Sequence, residues 1–299
     1  FQKTMVWLVP AVLVVMAGVF YLYGQILRLL SKTTLRNRVV LITDSASALG
    51  KECAKVFHKG GARLILCGKN WEKLEDLAEP FSQRSGTHTH CIKGRLDFSD
   101  MELMPEVVSD VLDCYGCLDV LIFNSSMKVK APVQTLSLEM DKMVMDANYF
   151  GPITLAKGVL PSMITRRSGH IILVNSIQGK LAVPFRTTYA ASKHAVQAFF
   201  DCLRAEVQEY GISVTLCDPR MLMSRLFENA VLTRQKPHGV SPEEMAGELL
   251  KTLSSKKNEI IMAHSISKAA IYARSFFPNF FFAVTAAGVR SAAAMEHVQ

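Results

Sequence analysis

Tyr189 and Lys193 stand four residues apart in a segment with a helical pattern, residues 188–209. At this spacing the phenol and the ammonium lie on one face of the helix, where the positive charge favours the phenolate form. A tyrosine in this setting can exchange a proton with a substrate near neutral pH. On an exposed helix the same spacing would be an ordinary surface pair, but no other tyrosine of the chain is followed by lysine at this distance.

Ser176 stands thirteen residues before Tyr189, at the end of a predicted strand. From there its hydroxyl can meet the tyrosine in space and hydrogen-bond the same substrate oxygen. A single serine at a strand end is normally a capping or turn residue. The three side chains together favour acid–base chemistry on an alcohol or a carbonyl.

Short β-rich runs alternate with helical patterns through the middle of the chain. We predict strands at residues 39–43, 64–67, 120–123, 170–175 and 214–217, and helices at 50–58, 71–81, 101–114, 137–163, 188–209 and 242–253. This alternation indicates an α/β fold, a doubly wound parallel sheet of Rossmann type in one domain. Ligands of such sheets bind beyond the carboxyl ends of the strands, so Ser176 is in a suitable place.

Composition excludes several other classes of protein. The chain has 299 residues, 49% of them hydrophobic, and its charge of +8 is dispersed in small groups, which argues against nucleic-acid binding. Seven cysteines, an odd number, favour free structural thiols in a reducing compartment. His88 and His90 flank a threonine in a further predicted strand, but without a nearby cysteine or carboxylate partner they predict no metal site.

Both ends of the chain are apolar. Residues 5–24 are uncharged and long enough, at about 1.5 Å per residue, to cross a bilayer, and basic residues follow them closely. We therefore predict an N-terminal membrane anchor, residues 1–27, with the large domain on the cytoplasmic side; a cleaved signal peptide is the alternative. Within the C-terminal extension, residues 266–299, the segment 276–289 is too short to span comfortably. It fits an interfacial segment, a lid, a subunit contact or a buried terminal helix.

The sequence around the candidate residues, Arg186-Thr-Thr-Tyr-Ala-Ala-Ser-Lys-His-Ala195, resembles the short-chain dehydrogenase/reductase family, and the likeness covers residues 37–265. The resemblance implies an NAD- or NADP-dependent oxidoreductase in which Tyr189 exchanges the proton, Ser176 orients the substrate oxygen and Lys193 also holds the nicotinamide ribose. It further implies that Asn148 carries a proton-relay water; the structural alternative is a residue at a helix kink beside Gly151 and Pro152. The expected cofactor-binding residues are Thr43, Ser45, Ser47, Leu49, Gly50, Lys69, Asp97, Asn124, Tyr189, Lys193 and Ser224.

The branch that the chain resembles most lies near the retinol and hydroxysteroid dehydrogenases. This implies a lipophilic alcohol or carbonyl substrate, a location in the endoplasmic or sarcoplasmic reticulum membrane, and a homodimer. Lys69, at the end of the second strand, can pair with the 2′-phosphate of NADP, although the loop Gly68-Lys69 contains no second basic group. The choice between NAD and NADP therefore stays open, with Lys69 favouring NADP.

The turn that should hold the cofactor departs from the family pattern T-G-x-x-x-G-x-G. Asp44 and Ala48 replace the first two glycines, and only Gly50 remains. Ala48 adds a Cβ where backbone should approach the pyrophosphate, and Asp44 brings a negative charge towards an anion. A membrane-bound pseudoenzyme or interaction protein with a weakened dinucleotide site is therefore the second hypothesis.

Overall fold

The computed structural model describes residues 35–84, 90–98, 100–219, 240–255, 257–263 and 265–296, together with Met16, Gly18, Val19 and Leu22. The strands are β1 (Val39–Ile42), β2 (Arg63–Gly68), β3 (His90–Arg95), β4 (Val120–Phe123), β5 (Gly169–Val174), β6 (Ile212–Pro219) and β7 (Glu259–Met262). The α-helices are α1 (Ala48–Lys59), α2 (Trp71–Arg84), α3 (Met104–Asp113), α4 (Leu138–Met145), α5 (Gly151–Arg166), α6 (Thr187–Val207), α7 (Pro242–Ser255), α8 (Ser265–Phe276) and α9 (Pro278–Glu296). A π-helical turn, Asp146–Phe150, joins α4 to α5, and a 3-10 turn, Ile177–Gly179, follows β5.

Within these residues the seven strands form one sheet in the order β3-β2-β1-β4-β5-β6-β7, and every neighbouring pair is parallel. The chain winds outward in opposite directions from the central pair β1 and β4. A crevice therefore opens at the carboxyl ends of these two strands, which is where a doubly wound sheet binds its ligand.

Side chains alternate across the sheet and divide the core into two layers. Val39 and Leu41 of β1 face the layer that contains α3, α5 and α6, whereas Val40 and Ile42 face the layer that contains α1, α2 and α7. The buried free thiols of Cys53, Cys67 and Cys217 belong to these layers. Helices thus cover both faces of the sheet, and the predicted α/β fold of Rossmann type is confirmed.

The helix predicted over residues 137–163 is in part wrong, because the π-helical turn interrupts it. Pro152 has no backbone N–H to donate to the preceding turn, so the regular hydrogen-bond ladder cannot continue through it. Gly151 allows the close approach of another element there, since a Cβ on it would overlap the side chain of Phe98. The chain therefore changes its helical register at a point that faces the crevice.

Strand β7 is absent from the predicted set. It has four residues at the edge of the sheet, and its apolar run, Ile260-Ile-Met-Ala263, is too short to tell a strand from a helix by pattern alone. The other predicted strands agree with the observed ones to within two residues at each end. His90 begins β3, while His88 lies outside the described residues.

The terminal predictions have different outcomes. The predicted membrane anchor lies outside the described residues except for Met16, Gly18, Val19 and Leu22, which are helical. No helix in the part of the chain that the structure describes is long and apolar enough to cross a bilayer.

The segment 276–289 forms the end of α8 and most of α9. Phe276 and Phe280 are 72% and 68% exposed, so the alternative of a buried terminal helix is wrong.

Candidate active site

The turn between β1 and α1 is held closed by its own side chains. Ser47 adopts an extended conformation and caps α1, since its Oγ accepts the backbone N–H of Gly50 at 3.0 Å. The Ser47 hydroxyl donates to the carbonyl oxygen of Asp44 at 2.7 Å, and the Asn124 amide donates to both the Asp44 carbonyl and Ser47 Oγ, at 3.1 and 2.7 Å. Asn124, predicted to contact the cofactor, therefore fastens the turn.

Gly50 is required by the same turn. A Cβ at this position would overlap the Asp44 carbonyl oxygen and the backbone of Ser45. This close approach of helix to strand is the role of the third glycine in dinucleotide-binding turns. The N-terminus of α1 consequently points its free N–H groups and its positive dipole end towards the crevice, as an anion site needs.

A cavity of about 560 Å³ occupies the crevice. Four of the residues predicted to bind cofactor line it: Thr43, Ser47, Lys69 and Asp97. Ser45 does not, because it is fully buried, its N–H donates to the Cys67 carbonyl at 2.9 Å and its hydroxyl donates to the Ile42 carbonyl at 2.8 Å. Leu49 packs its side chain into the core, and Ser224 lies outside the described residues. The Ser45 and Leu49 side chains therefore have structural roles, and cofactor binding by these two residues stays a prediction.

Charged groups of both signs meet at one wall of the cavity. Lys69 Nζ lies 2.7 Å from Asp97 Oδ1, and Asp44 also lines the cavity. Burial raises the pKa of the Asp44 carboxyl, while the nearby Lys69 ammonium and a hydrogen bond from the Ser47 backbone act in the opposite direction. Lys69 is therefore held between two acidic groups.

Lys73 is a second basic group at this wall, and the sequence reasoning missed it. It lies in the first turn of α2, four residues after Lys69, and lines the cavity together with Asn70. The helical spacing from Lys69 was the available signal, since residues four apart across a helix start can face one ligand. The prediction that Lys69 has no second basic group beside it was therefore wrong, because it considered only the loop and not the helix that follows.

Tyr189 and Lys193 lie on α6, which packs against the 3-10 turn that begins after Ser176 at the carboxyl end of β5. All three are buried, and Lys193 Nζ lies 5.8 Å from the centroid of the Tyr189 ring. Ser176 follows β5 directly, and its Oγ accepts the backbone N–H of Gln178 at 3.2 Å. Tyr189 and Lys193 are therefore a buried pair, and the alternative of an ordinary surface pair on an exposed helix is wrong.

The Lys193 ammonium titrates in an unusual range. Burial, the largest cause, and repulsion by Lys128 together lower its pKa to about 8, and the attraction of Asp218 partly opposes them. A lysine with this pKa exchanges its proton readily at neutral to mildly alkaline pH. The group next to Tyr189 can therefore both stabilise negative charge and pass on a proton.

Asn175 joins the strand end to the helix. Its Nδ2 donates to the Lys193 carbonyl oxygen at 3.3 Å and to Gln197 Oε1 at 3.0 Å. A Cβ on Gly179, at the end of the 3-10 turn after Ser176, would lie 2.8 Å from the same Lys193 oxygen. These contacts fix Ser176 relative to Lys193. The sequence reasoning did not single out Asn175, although it directly precedes Ser176.

Asn148 lies in the π-helical turn and is buried. Its Oδ1 accepts the Met127 N–H at 2.7 Å, and its Nδ2 donates to the Met127 carbonyl at 2.8 Å and to Ser192 Oγ at 3.0 Å. The side chain thus connects the loop that follows β4 to Ser192 of α6, which lies between Tyr189 and Lys193. Its position at the interruption of the helix agrees with the structural alternative, and the relay role remains a prediction that must use its backbone carbonyl.

Asp218 is a buried acid next to this site. It ends β6 just before Pro219, neither of its carboxyl oxygens has a hydrogen bond among the described residues, and its nearest cation is Lys180, whose Nζ lies 3.8 Å from Oδ2. Lys180 is shared with Glu259 at 2.6 Å. Burial raises the pKa of Asp218 to about 7, an effect that Lys180 opposes and Glu259 supports.

We expect Asp218 to make the folding stability fall with increasing pH. The folded protein keeps the Asp218 proton up to a pKa of about 7, whereas the unfolded chain releases it near its ordinary value, about 3.9. Between these values the native state binds more protons, so the free energy of unfolding decreases as the pH rises, by on the order of 2–4 kcal/mol in total. Urea unfolding from pH 4 to 8 measures this slope.

Asp218→Asn should remove most of that slope and leave the protein more stable at pH 8 by about 2 kcal/mol, since an uncompensated buried charge is lost. Asp76→Asn is the matched control, because Asp76 is an exposed acid of α2 and is not among the groups that shift the pKa of Asp218. An unchanged slope in Asp218→Asn would show that Lys180 holds the carboxyl ionised throughout.

Comparison with known proteins agrees with this geometry. The family model of the short chain dehydrogenases matches residues 38–235, and the chain therefore belongs to that family. Its members are NAD(P)-dependent oxidoreductases, which is the class that the fold and site define.

Within the family the chain is a close homologue of the member 7C proteins. It is 62% identical to dehydrogenase/reductase SDR family member 7C-B of Danio rerio, over 96% of this chain and 94% of that one. It is 50% identical to member 7C of Homo sapiens, over 95% of each chain.

Solved structures show the same fold. A short-chain dehydrogenase from Streptomyces avermitilis matches with a TM-score of 0.69 at 23% identity, over 88% of this chain and 97% of that one. A metagenomic short-chain oxidoreductase in complex with NADP matches with a TM-score of 0.65 at 22% identity, over 77% and 97%.

Proposed function

We propose that this chain is a membrane-anchored, NADP-preferring oxidoreductase that interconverts a lipophilic alcohol and its carbonyl, retinoid or steroid in type. The observation that carries the proposal is the buried group of Ser176, Tyr189 and Lys193 beside the crevice of a doubly wound sheet. A surface pair or a capping serine would not need all three to be buried at the ligand-binding edge.

The residues of the cavity fit a dinucleotide. The N-terminus of α1, the Thr43 and Ser47 hydroxyls and the turn that Gly50 allows form the phosphate side, and the cavity extends to Met127 and Ala147 next to Asn148. When bound there, the nicotinamide supplies or accepts the hydride. Tyr189 gives a proton to, or takes it from, the substrate oxygen at its phenolic oxygen, Ser176 orients that substrate oxygen, and Lys193 stabilises the charge that develops on Tyr189.

The preference for NADP rests on Lys69 and Lys73. Both ammonium groups line the wall of the cavity where the end of β2 meets the ribose in this fold. A 2′-phosphate carries the charge that two lysines bind well, and it would compete with Asp97 for Lys69. A solved short-chain oxidoreductase of the same fold, 22% identical to this chain, is in complex with NADP.

Lys73→Ala is expected to weaken NADP binding about tenfold, because it removes one charge-assisted contact to the 2′-phosphate, and to leave NAD binding nearly unchanged. Calorimetric titration of both cofactors measures the ratio. Lys55→Ala, which removes an exposed lysine of α1 paired with Glu52, is the control and should change neither affinity. Equal losses for NADP and NAD in Lys73→Ala would contradict the assignment.

The membrane part of the proposal rests on the apolar run at residues 5–24 and on the basic residues that follow it. An anchored domain can take a lipophilic substrate from the bilayer. We place the protein in the endoplasmic or sarcoplasmic reticulum membrane, with the catalytic domain in the cytoplasm and as a homodimer. Protease protection in sealed microsomes tests the orientation, and light scattering of the detergent-solubilised chain tests the dimer.

Turnover tests the function directly. The full chain in detergent, supplied with all-trans-retinol or a steroid alcohol and either oxidised cofactor, should produce absorbance at 340 nm that Tyr189→Phe does not. The reverse reaction, started from the carbonyl and the reduced cofactor, covers the other direction. No turnover above the Tyr189→Phe control in either direction would remove these two substrate classes.

Asp44 favours a second candidate, a membrane-bound interaction protein whose dinucleotide site is weakened. Its carboxyl lines the cavity where a pyrophosphate would come. Cofactor titration separates the two candidates, because an interaction protein has no need to bind NADP at micromolar concentration.

A further inference from the structure

Helices α8 and α9 carry an unusual group of exposed aromatic side chains. Tyr272, Phe276, Phe277, Phe280 and Phe282 are all more than half exposed, and we call them the aromatic corner. They lie around the junction at Phe277 and Pro278, where α8 ends and α9 begins, and the two helices pack against each other. Large exposed apolar patches on soluble domains mark interaction surfaces.

Around the aromatic corner the charged residues of this helix pair are all basic, and the one acid of the pair, Glu296, is the last residue of α9. Lys268, Arg274 and Arg290 are its basic residues, and no acidic residue occurs between Ser265 and Met295. Aromatic side chains together with basic ones, without acids, are the composition of segments that lie at the surface of an anionic bilayer. The aromatic rings enter the boundary between headgroups and acyl chains, and the ammonium and guanidinium groups pair with phosphates.

A second copy of the chain fits this surface less well. Homodimers usually form through a two-fold axis, at which the same patch meets itself. Lys268 and Arg274 of one copy would then face the same basic residues of the other, and neither helix offers an acid near them. A bilayer with anionic lipids supplies the missing negative charge.

Within the described residues neither helix is long and apolar enough to cross a bilayer, and α9 begins with Pro278 and Asn279. We therefore infer that the α8–α9 pair lies flat in the interface of an anionic membrane, with the aromatic corner immersed about 5–10 Å into it. This deepens the proposed membrane attachment, since an N-terminal anchor would hold the corner close to the same membrane.

Photo-cross-linking of the full chain tests this inference. Benzoylphenylalanine is incorporated at Phe280, the protein is reconstituted into vesicles of phosphatidylcholine and phosphatidylserine, and adducts are identified by mass spectrometry. Leu138 is the matched control position, because it is 68% exposed on α4 of the main domain. We expect lipid adducts at Phe280 at least about five times more abundant than at Leu138.

A double variant, Lys268→Glu with Arg274→Glu, tests the requirement for positive charge, and both residues are exposed. This double variant should lower the lipid adducts at Phe280 several-fold while leaving the thermal unfolding midpoint unchanged. Adducts of Phe280 with a second copy of the chain, or lipid adducts no more abundant than at Leu138, would overturn the inference.

Flotation of the same vesicles separates this inference from the proposed anchor. A chain that floats with the vesicles but gives no lipid adduct at Phe280 is anchored without the aromatic corner, which overturns only the inference. A folded chain that does not float overturns both the inference and the proposed anchor.

Discussion

Tyr189→Phe is expected to lower kcat by about 10³-fold while the affinity for NADP changes little. The substitution removes only the phenolic oxygen, and the buried ring and its contact with Lys193 Nζ at 5.8 Å can remain. Without that oxygen the substrate loses the group that exchanges a proton with it directly, and Ser176, which only orients the substrate oxygen, does not replace it. Steady-state turnover and a parallel calorimetric titration give the two quantities.

Tyr210→Phe is the matched control for this prediction. Tyr210 lies at the opposite end of α6, next to Arg167 and far along the helix from Lys193, and it should affect neither turnover nor binding. If Tyr189→Phe retained more than about a tenth of the turnover, the proton would have to come from another group, and the role given to the buried tyrosine would be wrong.

Asp44→Asn is expected to tighten the binding of NADP about tenfold at pH 8. Asp44 lines the cavity on the side of the α1 N-terminus, so its negative charge meets the pyrophosphate at short range. Repulsion of this kind costs on the order of 1 kcal/mol or more in a partly buried site, which corresponds to about a tenfold change in Kd. Asparagine keeps the size of the side chain and removes the charge.

Protonation of Asp44 in the unsubstituted protein also removes its repulsion of the pyrophosphate. The affinity for NADP therefore depends on pH in a direction that can be predicted. Burial already raises the pKa of Asp44, and a bound anion must raise it further, so the complex binds more protons at this residue than the free protein. Affinity for NADP should therefore increase as the pH falls through the range in which Asp44 titrates. The charged groups that face Asp44 across the cavity are Lys69, Lys73 and Asp97.

Calorimetry in buffers of different ionisation enthalpy measures the proton that is taken up on binding. Uptake should be present in the unsubstituted protein and absent in Asp44→Asn. If the unsubstituted protein and Asp44→Asn bound NADP with the same affinity and neither took up a proton, this prediction would be wrong. Lys69 would then leave Asp97 and neutralise Asp44 instead.

The fold and the acid–base pair could be predicted because each depends on short-range pattern. Buried parallel strands are continuous apolar runs, and the alternation with helices fixes the class of fold. Tyr189 and Lys193 share a helix, so their spacing alone places them on one face. The place of Ser176 could be predicted because the carboxyl ends of the strands of a parallel sheet meet at one edge.

The remaining site residues depend on long-range contacts that no local pattern contains. Asn175, which follows β5, contacts Lys193 and Gln197 of α6, and Asp218 is buried on β6, which lies between β5 and β7. Ser45 has the residue type of a ligand contact, but its hydroxyl turns back to Ile42. The π-helical turn at Asn148 needs the combined effect of Gly151, Pro152 and the neighbouring Phe98.

Titration of the purified full chain with NADP and NAD tests the central claim most directly, because every proposed role depends on a dinucleotide in the crevice. We predict saturable binding of NADP in the micromolar range, about tenfold tighter than that of NAD, with a matching rise in the thermal unfolding midpoint. Absence of binding of either cofactor to folded protein at millimolar concentration would contradict the account and leave the fold with a function other than hydride transfer.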